Sequence, residues 1–216
     1  MRVHLWLVLV SVFVAAAASE GAPPEPDVND THRIDLTASM RVPVRVYNGV
    51  SDFSADDQQV ALAVAGKALS TASVDVAWTM CQPGACLTPA PAALMVRVVQ
   101  SPDSGQGDPR FLGHALIDSR TRTGVLATVF IDRTRRVAGD LGLDHRVLLG
   151  RAIAHELGHL LLATPTHGSA GLMREVWSRD EMLGTHQDDW IFDPSDAATI
   201  RKRLARARTA RQRGAS

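Results

Sequence analysis

The chain predicts an α+β domain: a mixed, twisted sheet with an N-terminal helix, a central helix bearing a histidine pair, and a small C-terminal helical part. Three observations lead there. β-branched runs of strand length recur between residues 41 and 132, a helical period follows the first of them, and a long apolar helix containing AHELGH follows the last. At 216 residues with 45% apolar types, the chain is long enough for one ordinary hydrophobic core.

The elements follow in chain order. In residues 1–18, Arg2 precedes an apolar run from Leu5 to Ala18 and then small residues, the layout of a secretory signal peptide. That run is short of the roughly 20 residues a bilayer span needs. Its removal would leave an exported, secreted or periplasmic protein; retention would leave an anchor. Residues 19–40 mix Pro, Gly and acids and read as a flexible lead. The domain proper is expected over 41–198. RVPVRVYN alternates as a strand, and SDFSADDQQVALAVAGKALSTA has helical apolar spacing behind Ser and Asp residues suited to an N-terminus. VDVAWTM, ALMVRVVQ and GVLATVFID are strands, with a weaker one at HALIDS. The next helix starts near Leu143 or Asp144 and runs to about Ala163, stopped by Thr164 and Pro165. DPSDAATIRKRLARAR predicts a last helix capped by Asp193 with Pro194 in its first turn. Beyond it, 199–216 reads as a basic tail, a solvated helix end that frays.

Charge and cysteine usage narrow the class. With 23 basic and 23 acidic residues the net charge is zero, so nothing global points to nucleic acid. Cys81 and Cys86 bracket the turn-like QPGA, and in an exported chain they read as a disulfide rather than a redox or zinc pair.

The informative stretch is His155-Glu156-Leu157-Gly158-His159. On a helix, Glu156 lies about 100° and His159 about 40° round from His155, so all three face one point. Two imidazoles one turn apart can offer nitrogens to one Zn²⁺ at about 2.0–2.1 Å, and the glutamate between them reaches water on the metal. With 8 His and 5 Glu in 216 residues, about 0.007 such matches arise by chance, so accident explains it poorly. A buried imidazole pair and carboxylate without a partner would also be costly in an apolar helix.

HELGH with a downstream His and then GLM resembles the metzincin clan of zinc metalloproteases, whose pattern is HExxHxxGxxH followed by a methionine turn. The resemblance covers residues 155–173. It implies a zincin-like fold, His155 and His159 as metal ligands, Glu156 as general base, and Met173 in the turn beneath the site. It also makes GVLATVFID a candidate sheet edge for an antiparallel peptide substrate, with Gly124 to Val129 outermost; the other reading is a central strand. Two positions depart from the pattern: Leu162 stands where the clan has its glycine and Pro165 where it has its third histidine. The next histidine is His167, giving HExxHx7H, and we take it as the third ligand, brought back under the metal by the turn at Thr164 and Pro165. Glu175 or Glu181 would serve a thermolysin-like arrangement. His186, Asp188 or Asp189 would serve an aspartate-ligand one, although Gln187 falls where that aspartate belongs.

The implied function is an exported zinc metallopeptidase acting on peptide or protein. The alternatives are a catalytically inactive, zinc-stabilised extracellular binding protein, or a hydrolase of another amide such as a cell-wall peptide. Tyr47, the only tyrosine, lies in the first strand, so a second oxyanion donor is left to a backbone N–H, His186, an arginine or none.

Overall fold

In strand β1 (Met40–Asn48), Val42, Val44 and Val46 are buried while Arg41 and Pro43 are exposed, the period-2 pattern of a strand with one face on a core. The computed structural model describes residues 39–81, 86, 93–102, 111–118, 120–121, 123–184 and 186–214. The signal peptide and nearly all of the lead lie outside the described residues.

Helix α1 (Ala55–Ser70) starts where the sequence places it: the Ser54 hydroxyl accepts from the Asp57 N–H, and Asp56 and Asp57 occupy the positive end of the helix dipole. Strands β2 (Val74–Cys81), β3 (Leu94–Val99), β4 (Gly113–Asp118) and β5 (Thr123–Phe130) complete one five-stranded sheet in the order β2-β1-β3-β5-β4. All neighbours are parallel except β4 and β5. Cys81, at the end of β2, is disulfide-bonded to Cys86.

Two expectations need correction. The candidate edge at Gly124–Val129 is interior: β5 is paired with β3 on one side and β4 on the other. A short connection makes β4 and β5 antiparallel neighbours. Asp118 accepts from the Arg120 N–H and the Thr121 hydroxyl, holding a tight reversal that lays β4 outside β5 as the antiparallel edge. Second, the strand run through Asp132 stops at Phe130, where helix α2 (Ile131–Leu141) begins. Its buried positions Ile131, Thr134 and Ala138 recur at helical spacing, and Asp132 accepts from both the N–H and hydroxyl of Ser101 at the end of β3.

Helix α3 (His145–Leu162) is capped by Asp144, whose carboxylate accepts from the Arg146 N–H, and it packs along α1 and the sheet. Beyond it come a short helix α4 (Arg179–Leu183) with a Ser178/Glu181 capping box, a 3-10 turn over Gln187–Trp190, and α5 (Pro194–Gly214). Helix α5 runs unbroken across the expected 198/199 boundary. Arg203 ties it to the end of α3 by donating Nε–H to the Leu161 carbonyl at 3.0 Å, satisfying one of the acceptors every helix end leaves open. Among the described residues, no helix is long and apolar enough to cross a membrane.

Candidate metal centre

Helix α3 carries His155, Glu156 and His159 inside an otherwise apolar run, and all three are buried, with relative exposures of 7%, 6% and 5%. The helix ends on Ala163, which adopts the left-handed conformation at φ 51. That reversal turns the Thr164 carbonyl back towards the helix, where it accepts the Nδ1–H of His159 at 2.9 Å. Three residues on, His167 brings its Nε2 to 3.2 Å from His159 Nε2.

The following loop closes under the histidines. Gly168 N–H donates to the Met173 carbonyl and Leu172 N–H to that of Ile191, each at 2.8 Å. Gly171 makes this possible at φ +66, since a Cβ there would lie 2.5 Å from the Ile191 oxygen. The Leu172 carbonyl then accepts the Nδ1–H of His155 at 2.8 Å. Met173, 1% exposed, fills the space against Gly158, where an added Cβ would meet its Sδ at 2.4 Å.

The donor set fits a divalent cation. Both helical histidines spend Nδ1–H on backbone carbonyls, so each Nε2 keeps its lone pair, and burial lowers both rings, His155 to about 3. Yet His155 Nε2 and His159 Nε2 stand 3.1 Å apart. Two unprotonated nitrogens repel at that distance unless a cation lies between them, and tetrahedral ligands at about 2.05 Å sit about 3.3 Å apart. The ligand atoms of His155, His159 and His167 all lie within 4.8 Å of one another, and His167 is exposed, leaving one side of the cluster open. The three histidines could therefore hold a metal ion.

Glu156 shares a cavity of about 300 Å³ with all three histidines, and burial raises its carboxyl to about 8. Gly113 at the start of β4 makes room for it: a Cβ there would come within 2.9 Å of the Glu156 Cγ and Oε1. The cavity lining also includes the apolar side chains of Val137, Val176 and Met182.

Of the alternative ligands, Glu175 lines the cavity but stands outside the three-histidine group. Glu181 is engaged by Arg174 and by the Ser178 N–H, His186 is exposed, and Asp189 faces Arg151. Among the described residues the group of three histidines is the one cluster of metal-ligand type. No sequence signal marks the carbonyls of Thr164 and Leu172, which any residue type could supply, or Trp177, whose Nε1–H donates to the Leu172 carbonyl. No family model matches the chain, and no curated protein matches it.

Proposed function

We propose that the chain is an exported zinc-dependent metallopeptidase of metzincin-like organisation. The observation that carries this reading is the convergence of three imidazole nitrogens beside a buried glutamate in one cavity. Zinc held by three imidazoles with a fourth position open polarises a carbonyl as a Lewis acid and acidifies water towards neutrality.

The chain's own residues supply the rest. Burial alone raises the Glu156 carboxyl, and a cation held by the three histidines would favour its ionised form, which would take a proton from the attacking water and pass it to the leaving amine. Gly113, His114 and Ala115 of β4 line the cavity, and β4 is one of the two edge strands of the sheet. Its outer N–H and C=O groups suit an extended peptide laid along the edge, the role first considered for β5. The Nδ1 bonds to Thr164 and Leu172 fix both helical rings, so the ligand nitrogens are oriented before any cation arrives. The Cys81–Cys86 disulfide accords with an oxidising, extracytoplasmic compartment.

Metal analysis of purified protein, paired with cleavage of a peptide library, tests the proposal. Parent and Glu156→Gln should each hold close to one zinc, and only the parent should cut, the variant losing about 10²–10⁴-fold. Zinc without cleavage in the parent would favour the inactive binding protein. A His167→Ala variant with undiminished zinc affinity would remove His167 from the ligand set.

A further inference from the structure

The Leu172 carbonyl accepts two donors. His155 Nδ1–H reaches it at 2.8 Å and Trp177 Nε1–H at 3.3 Å, and a carbonyl oxygen has two lone pairs to give. The Trp177 ring also stands edge-on to the His155 imidazole, with centroids 5.5 Å apart and planes at 89°. Trp177 packs edge-to-face on Trp190 at 5.0 Å, and the Arg151 guanidinium lies 3.5 Å over the Trp190 ring. Arg151 and His155 are one turn apart on α3. The contacts therefore close a ring from Arg151 through Trp190 and Trp177 to His155 and back along the helix. Within it, Trp177 alone touches both the His155 imidazole and the carbonyl that orients it.

We propose that Trp177 is a positioning residue of the three-histidine cluster, fixing the direction of His155 Nε2 through the Leu172 carbonyl and its own ring; this rests on the cluster being a cation site. With the indole N–H gone, one of the two donors that aim the carbonyl is lost and the imidazole gains freedom about its ring torsion. The bond at stake belongs to the layer behind the ligands, where loss of a partner costs about 10–100-fold in metal affinity.

Trp177→Phe removes the donor while keeping an aromatic wall. Trp190→Phe is its control, because the Trp190 Nε1 is buried with no hydrogen-bond partner among the described residues. Zinc dissociation constants come from competition with a chromogenic chelator, ligand geometry from the visible absorption of the Co²⁺ form, and fold integrity from metal-free melting curves. Trp177→Phe should weaken zinc about tenfold and shift the Co²⁺ bands, whereas Trp190→Phe should stay within about twofold with the parental spectrum. Parental affinity and spectrum in Trp177→Phe would overturn the proposal, as would equal losses in the two variants, which would mark simple packing. If the parent binds neither ion, the cation reading falls and takes the positioning role with it, an outcome distinct from an unaffected Trp177→Phe.

Discussion

Gly158, in the middle of the motif, offers a sharp test of how tightly Met173 is held under the histidines. Alanine at a helix interior is worth about 1 kcal/mol over glycine, so a methyl that met nothing would stabilise α3. At Gly158 it would stand 2.4 Å from Met173 Sδ and 2.8 Å from Phe192 Cε1, against the about 3.5–4.0 Å of ordinary contact. Met173 and Phe192 are 1% and 3% exposed, so neither has open space to move into. Overpacking of this kind costs about 1–3 kcal/mol. Gly139 in α2 provides the reference, because an added Cβ there meets nothing within 4 Å. The helix-propensity gain is common to both, so Gly158→Ala should be less stable than Gly139→Ala by about 1–3 kcal/mol. Urea unfolding of metal-free protein measures the difference from the two midpoints at a shared slope. Because Met173 follows Leu172, whose carbonyl orients His155, zinc affinity should fall in Gly158→Ala and not in Gly139→Ala. Equal midpoints for the two variants would refute the packing described here.

Four further outcomes follow from single contacts. Gly171→Ala forces a side chain into the left-handed region and against the Ile191 oxygen, so thermal melts should show a loss of about 2 kcal/mol or more. Gly113→Ala would set a methyl 2.6 Å from the Thr128 carbonyl as well as 2.9 Å from Glu156 Cγ and Oε1, so thermal melts should show a loss of about 1–3 kcal/mol and the proposed peptide turnover should fall with it. Asp144→Ala removes the α3 cap and should cost about 1 kcal/mol at pH 7. The hydrogen bond from Arg146 holds the Asp144 carboxyl below the usual carboxylate range. Its contribution is therefore complete above about pH 4, is lost as pH falls through the depressed folded value, and the gap between variant and parent in denaturant midpoints should close towards pH 2. Reducing Cys81–Cys86 opens a loop with a sequence separation of 5, for which chain entropy gives about 2 kcal/mol, read as a lower melting temperature in reductant.

Elements whose instructions are local were legible in the sequence. Alternating valines mark β1, Ser54 and its two following acids mark α1, and Asp144 marks the start of α3. Helix α2 was hidden because it joins β5 without a break: Phe130 and Ile131 are consecutive apolar residues, and only three positions of the helix face inward. Helix α4 has five residues, too few for a period to show. Strand order was beyond reach for a different reason: β4 carries a single β-branched residue, Ile117, and which of β4 and β5 lies outermost depends on the direction of the turn at Asp118. Within the site, His155, Glu156 and His159 share one helix and their spacing fixes their faces. His167 was only one candidate among several, because a loop residue's position depends on every torsion before it.

The separation of eight residues between His159 and His167 has its own physical account. With Leu162 still helical, the chain reverses one residue later, on Ala163, and the reversal itself aims the Thr164 carbonyl at His159 Nδ1. A third histidine at position 165 would have to place its ring directly after the residue whose carbonyl orients His159. At position 167 the two tasks are separated, with Pro165 and Thr166 between them and the Thr166 N–H bonded to the Thr164 hydroxyl. Insertion of one residue between Thr164 and His167 should therefore leave the His159–Thr164 bond intact while withdrawing His167, so zinc affinity would fall about as far as in His167→Ala. A larger fall than in His167→Ala would mean that the insertion also disturbs the Thr164 carbonyl, and that the turn and the ligand are not separable.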